Sequence, residues 1–236
     1  PERNFSIRYR STIPRRLGLA GSSALVTAAM RCLMEFYDIE ISEAVLPNLI
    51  LSVETEELGI AAGLQDRVIQ VYEGLVFMDF SREIMEAQGH GNYERLDSGL
   101  LPPLFVAYRK DLGQGSEGIH QTVRERWLEG DKEVMTAMHD FASYAQAVRD
   151  LLVAGKGREA GEWLDKNFER RCSIFKVDAQ NKKMVDTARA VGAHAKLTGS
   201  GGAIIGIYED EAMYERLVKK MAGIGALVIK PQIEGD

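Results

Sequence analysis

Within seven residues, Gly18 to Ala24, the chain places two glycines, two alanines and two serines. Ahead of them, residues 4–12 alternate Phe5, Ile7 and Tyr9 with polar side chains, which predicts a strand. Pro14 interrupts that strand. From Ser22 onward Leu25, Ala28, Ala29, Cys32, Leu33 and Phe36 recur at three- and four-residue spacing, which predicts a helix with Ser22 or Ser23 as its N-cap. A strand, a small-residue turn and a helix in this order call for a mixed α and β fold. They also allow the turn's backbone to come close to another backbone or to a ligand. Successive N–H groups there can converge on an anion, and the helix start adds unpaired donors and a partial positive charge. The serine hydroxyls can donate to phosphate or ligate a hard cation. A capped helix behind a small turn would look the same, and spacing alone leaves both readings open. The stretch is not a Walker A loop, since no lysine follows the glycines, and it is not GxGxxG.

The remaining pattern continues the mixture. A helix is predicted over 42–58, capped by Ser42, with Pro47 allowing a later start. A short GIAAG loop leads to a helix at LQDRVIQVY, and Gly74–Phe80 reads as a strand. The polar, glycine-containing segment Ser81–Gly99 reads as a surface loop or boundary, which divides the chain into domains 1–98 and 99–236. The second half then reads strand, helices, strand, helix, strand. Its strands fall at LPPLFVAY, Ala203–Tyr208 and Ala226–Ile233. Its helices fall between Gly118 and Arg170, with breaks at Gly130–Asp131 and Gly155–Gly157, then at 181–190 and 210–222. This order predicts the α+β class.

Composition narrows the function. The 236 residues suit one large or two small domains. Lysine plus arginine is 29 and aspartate plus glutamate is 35, so the net charge is 29 − 35 = −6. That balance argues against a broad nucleic-acid-binding surface. The two cysteines, Cys32 and Cys172, lie in no CxxC or CxxH pattern, which predicts neither a disulfide framework nor a zinc site and suits the cytoplasm. No window approaches ~18 consecutive apolar residues, so no membrane-spanning helix is expected. The first ten residues, PERNFSIRYR, are polar, and no secretion signal is expected in them. His90, His120, His139 and His194 show no triad or metal spacing.

Two further motifs carry chemistry. In Gly63-Leu64-Gln65-Asp66-Arg67, an aspartate between a glycine turn and a helix can accept or orient a hydroxyl proton. Glu54, twelve positions upstream, could hold Mg²⁺, with Glu57 as the fallback. Arg67 could keep Asp66 ionised or contact a phosphate. An N-cap aspartate beside a surface arginine would have the same sequence. The third motif, Thr198-Gly199-Ser200-Gly201-Gly202-Ala203, is a glycine-rich turn before an apolar strand, equally able to pack on another loop or to meet a ligand.

Taken in order, PxxxGLxxSSA, an acidic helix, GLQD and a late TGSGGA resemble the GHMP kinases. Within that family, IPRRLGLAGSSALVTAA, LGIAAGLQDRVIQVYEGLVFMDFS and ARAVGAHAKLTGSGGA resemble the plant-type glucuronokinase branch. The resemblance implies two lobes, the first of the ribosomal-protein-S5 domain 2 type and here partial, the second ferredoxin-like. It implies ATP and Mg²⁺ as cofactors and a small sugar or sugar acid as acceptor, most specifically glucuronate phosphorylated to its 1-phosphate. Alternatives are another GHMP kinase, acting on a different sugar or an isoprenoid alcohol, and a silent nucleotide-binding scaffold. By the same resemblance Gly18, Leu19, Ala20, Gly21, Ser22 and Ser23 wrap the triphosphate. Ser23 and Glu54 meet Mg²⁺, Asp66 acts on the acceptor hydroxyl, Arg67 contacts substrate or transition state, and Gly199, Ser200, Gly201 and Gly202 support the phosphate loop. A sugar-acid carboxylate would need a cation, for which Arg124, Arg126, Arg170 and Arg171 are the candidates. GHMP kinases ordinarily carry a further segment ahead of the glycine loop. Here Pro1 opens the chain just before it, so strands at 4–12 and 74–80 would be completed by such a segment or by a second copy in a homodimer.

Overall fold

A computed structural model describes residues 4–60, 62–112 and 117–233, with the backbone alone for 117–121. Ala61 of the GIAAG loop and the side chain of His120 lie outside the described residues. The chain divides into two compact units, the first of residues 1–14 and 20–95, the second of 15–19 and 96–236.

The first unit holds helices α1 (Gly21–Tyr37), α2 (Leu46–Ser52), α3 (Leu64–Tyr72) and α4 (Arg82–Gln88). Strands β1 (Leu75–Asp79) and β2 (Asn92–Leu96) pair as a two-stranded sheet. Its core joins Leu46, Ile50 and Val71 to Val26, Met30 and Met34. The face of α1 turned inward therefore runs through Ser23, Val26, Thr27, Met30 and Met34, whereas Ala28 and Cys32 of the predicted stripe are exposed. Helix α1 is apolar around most of its circumference, so periodicity alone does not select a face. Arg31 ties α1 to the end of α3, donating to the Gln70 and Val71 carbonyls at 3.1 Å each and pairing with Glu73 at 2.6 Å. A cation on the last carbonyls of a helix is a favourable C-terminal cap.

Three expectations are corrected here. Residues 4–12 form no strand, and Phe5, Ile7 and Tyr9 are exposed. A strand needs a partner for its N–H and C=O groups, and no strand among the described residues lies beside this stretch. The helix expected from Ser42 begins at Leu46 with Pro47 in its first turn, where the missing N–H costs nothing. The Ser81–Gly99 segment is not a loop: it contains α4 and β2, and Arg95 grips Glu43 with two 3.0 Å hydrogen bonds.

The second unit is built on an antiparallel sheet of β3 (Leu104–Tyr108), β4 (His194–Leu197), β5 (Ala203–Ile207) and β6 (Leu227–Ile229), in the order β4-β5-β3-β6. Helices α5 (Glu117–Leu128), α6 (Lys132–Val153), α7 (Gly161–Ile174) and α8 (Ala179–Arg189) separate β3 from β4, and α9 (Glu211–Ala222) separates β5 from β6. This is the split βαββαβ pattern of ferredoxin-like folds. Strand β4 was not expected, because AHAKL is short and only half apolar. Phe105, Ala107, Ala195, Leu197 and Ile204 of the sheet meet Phe168, Met184, Val185, Ala188, Leu217 and Met221 of the helices in one core. Asp131, Asp178 and Asp210 cap α6, α8 and α9 with their side chains. At the sheet edge, Ala195 donates its N–H to the Asp165 carboxylate of α7 at 3.2 Å, which satisfies an edge donor.

Candidate active site

In the first unit the chemistry gathers around Glu54. The helix after α2 widens into a single π turn, Val53–Glu57, of a kind enriched at functional sites. It carries Glu54, whose side chain is fully buried. Arg67, in the first turns of α3, is 4% exposed and donates from Nε to Glu54 Oε2 at 2.6 Å, with Nη2 against the same oxygen. Its Nη1 donates to the Gly63 carbonyl at 2.9 Å and stands 3.7 Å from Asp66. Asp66 is 54% exposed, so one guanidinium braces a buried carboxylate and an open one. Ser22, at the start of α1, donates its hydroxyl to the other Glu54 oxygen at 2.5 Å. Ser23 is buried and donates to the Ala20 carbonyl at 2.9 Å. Ser23, the serine implied for the cation, thus turns to the Ala20 carbonyl, and Ser22 is the one on Glu54. Neither caps α1: its N-cap is Ala20, in the left-handed region at φ 52°. Glu57, the fallback, is exposed on the same π turn. The Arg67 guanidinium is occupied by Glu54 and the Gly63 carbonyl.

No group of three or more His, Cys, Asp or Glu able to hold a metal occurs among the described residues. Mg²⁺ is commonly held by one or two carboxylates together with substrate phosphates. Glu54 and the Ser22 hydroxyl offer adjacent hard oxygens, so the donor set fits that mode.

In the second unit two glycine segments far apart in sequence meet backbone to backbone. A Cβ on Gly18 would stand 3.0 Å from Ser200 N and 3.2 Å from Gly201 O, and one on Gly199 would stand 3.0 Å from Gly18 O. Leu17 is buried against Gly202. Asn181 of α8 accepts the Gly202 N–H at 2.7 Å and fixes the turn. Sequence reasoning missed Asn181, because a lone asparagine in a polar helix carries no signal. Gly18 sits at φ 62°. Gly18→Ala is expected to destabilise the second unit by about 1–3 kcal/mol, since the added carbon meets backbone that cannot step aside in a strained conformation. Urea unfolding of the variant measures it, and a change below about 0.5 kcal/mol would remove this packing from the account.

The four arginines proposed for a carboxylate differ in their surroundings. Arg126 pairs with Asp131 at 2.7 Å and Glu133 at 3.2 Å, and Arg170 with Asp140 at 2.7 Å. Arg124 is exposed on α5. Arg171 is partly buried and makes no ion pair among the described residues. His194 is tied to Asp165 at 2.6 Å, which gives it a structural place. No helix among the described residues is long and apolar enough to cross a membrane.

Comparison with known proteins places these features. Residues 2–74 match the family model of the GHMP kinases N terminal domain, and residues 148–224 that of the GHMP kinases C terminal region. The chain is 46% identical over 207 residues to glucuronokinase 1 of Arabidopsis thaliana, covering 86% of this chain and 57% of that protein. It is 42% identical over 236 residues to probable glucuronokinase 2 of the same plant, covering 98% of this chain and 64% of the relative. The chain thus spans less than two thirds of the length of either. Among solved structures, Lactococcus lactis galactokinase complexed with galactose aligns with a TM-score of 0.73 at 16% identity, over 94% of this chain and 68% of that one. L. major mevalonate kinase in complex with R-mevalonate aligns with a TM-score of 0.68 at 16% identity, over 91% of this chain and 67% of that one. These two likenesses speak for the fold, the mixed α and β architecture described above. Two family models and two relatives above 40% identity agree on one lineage, and the chain belongs to the GHMP kinase family.

Proposed function

We propose that the chain acts in an ATP- and Mg²⁺-dependent sugar kinase that transfers the γ-phosphoryl group of ATP to a sugar-acid hydroxyl, with glucuronate yielding glucuronate 1-phosphate. The observation that carries this reading is the identity to two glucuronokinases, 46% over 86% of this chain and 42% over 98% of it. Phosphoryl transfer asks a protein for positioning and charge neutralisation more than for covalent help. The first unit supplies the start of α1 and its serine hydroxyls, Glu54, and an open carboxylate at Asp66. Its place in the reading is the ATP-binding domain, residues 1–98. The second, residues 99–236 with the loop residues Arg15–Leu19 packed on it, supplies the glycine turn Gly199–Gly202 that supports Gly18. A bound Mg²⁺ would neutralise phosphate charge, held by Glu54 with a serine hydroxyl. Asp66 takes or orients the proton of the acceptor hydroxyl. Arg67 fixes Glu54 from the far side. Both cysteines are free, which suits a reducing cytoplasmic setting.

The test is ATP turnover by the chain with Mg²⁺ against a panel of neutral sugars and uronic acids, the product identified by mass. Turnover with glucuronate is expected, and turnover of another acceptor in its place would overturn the substrate assignment. Ser22→Ala is expected to weaken Mg²⁺–ATP binding about tenfold, the worth of one hydrogen bond to a charged group, and more than Ser23→Ala. Nucleotide titration with and without Mg²⁺ checks this, and the reverse order would move the cation to Ser23.

A further inference from the structure

We propose that Asn181 on α8 is a positioning residue for nucleotide phosphates. It holds the turn Gly199–Gly202, and through that turn the loop at Gly18, in the shape that takes the triphosphate of ATP. This rests on the nucleotide reading above and extends it to a helix position outside the three motifs.

Asn181 is 9% exposed and stands in the first turn of α8, where asparagine adds nothing to helix propensity. Asp178 already caps that helix, so Asn181 has no capping task. Met184, Val185 and Ala188 anchor α8 in the core of the second unit. The Asn181 Oδ1 instead accepts the Gly202 N–H at 2.7 Å. Its Nδ2 lies 2.8 Å from the place a Cβ on Gly201 would take, so the amide uses the space that glycine leaves. The Gly202 carbonyl is held as well, by the Arg109 backbone N–H at 3.0 Å. The Arg109 guanidinium in turn donates from Nη1 to Oε1 of Gln180, the neighbour of Asn181, at 2.8 Å. Both backbone polar groups of Gly202 are thus fixed by one latch, built from the start of α8 and the end of β3.

What the latch holds is strained. Positive φ recurs at every second residue of the loop, with Arg16 at 59°, Gly18 at 62° and Ala20 at 52°. Arg16 and Ala20 carry a Cβ, and such residues keep this conformation only where their surroundings over-determine it. Alternation of that kind turns successive N–H groups to one side, the geometry of an anion-binding nest. The latched turn supplies the surroundings. A Cβ on Gly202 would stand 2.6 Å from Leu17 Cδ2, and Leu17 is 1% exposed. A Cβ on Gly18 would stand 3.0 Å from Ser200 N. Asn181, Gly199–Gly202 and Arg16–Gly18 all belong to the second unit. Loss of the Asn181 acceptor strands the Gly202 N–H and frees the turn, and the loop then relaxes from the shape an anion needs.

The experiment is calorimetric titration of the chain with Mg²⁺–ATP and with AMP, beside urea unfolding. Asn181→Leu keeps the side-chain size and removes the acceptor. It is expected to weaken ATP binding about tenfold, the worth of one buried hydrogen bond, while AMP affinity stays within about threefold of wild type. A merely structural asparagine would lower stability and leave the ratio of ATP to AMP affinity at its wild-type value, which overturns the proposal. So does an absence of ATP binding by the wild-type chain. Hydrogen exchange of the wild-type chain decides the matter if the variant fails to fold. ATP is expected to slow exchange in residues 16–23 and in 198–203 together, and AMP to do so far less. Protection by ATP confined to 16–23 would mean that the turn and the loop are not coupled, and the proposal falls. Failure of the kinase reading shows differently, as no phosphorylated product from any acceptor while ATP binding and its dependence on Asn181 remain.

Discussion

Replacing Asp66 by asparagine is expected to lower kcat for phosphoryl transfer by about 10²- to 10⁴-fold, the usual worth of a positioned proton acceptor, with nucleotide affinity nearly unchanged. The carboxylate is 54% exposed in the first turn of α3, while its neighbour Glu54 is fully buried on the other side of Arg67. Two carboxylates on one guanidinium thus have different environments and, on this reading, different tasks. The buried one is fixed in place and faces Ser22. The open one can reach an acceptor. Asparagine keeps the shape and can still accept a hydrogen bond through its carbonyl, so folding should be preserved. What it loses is the ability to take a proton and the negative charge that attracts one. Steady-state kinetics with the acceptor varied would show the loss in kcat rather than in the KM for ATP. Turnover within about tenfold of wild type would take Asp66 out of the proton-transfer role.

Much of the second unit was legible in the sequence. The helix breaks at Gly130 and Gly155 coincide with residues at φ 77° and 71°, where glycine is the low-cost residue, and the capping aspartates sit where an N-cap is needed. The site residues were legible as residue types but not as partners. Nothing in the spacing of twelve between Glu54 and Asp66 says that Arg67 would turn to Glu54. That choice follows from burial, since an unpaired carboxylate inside the unit would be far more costly than an exposed one. Likewise Ser22 and Ser23 are indistinguishable in sequence. A helix step of about 100° sends one hydroxyl to Glu54 and the other to the Ala20 carbonyl. The pairing of Gly18 with Ser200 and Gly201 joins positions about 180 residues apart, a relation that local patterns do not encode. The strand expected at 4–12 failed for the opposite reason. Alternation describes a face, but a strand exists only where another backbone accepts its hydrogen bonds.

Arg67→Met is expected to destabilise the first unit by about 3–5 kcal/mol, because it leaves the Glu54 carboxylate buried and uncompensated. Both groups are almost inaccessible to water, so solvent cannot replace the lost partner. The methionine fills much of the arginine's volume, which keeps a packing defect from contributing comparably. Adding Glu54→Gln to this variant removes the stranded charge and is expected to recover most of the stability. The double variant would not recover activity, since the carboxylate implied for Mg²⁺ is gone. This separation of stability from activity distinguishes the two accounts of Arg67. If it only positions Glu54, the loss of turnover in folded Arg67→Met resembles that in folded Glu54→Gln, and the double variant adds little further. If it also contacts the transferring phosphoryl group, the double variant falls well below Glu54→Gln alone. Denaturant unfolding followed by single-turnover kinetics on the folded fraction gives both numbers. A single Arg67→Met variant within about 1 kcal/mol of wild type would mean that the buried pair does not carry the weight assigned to it.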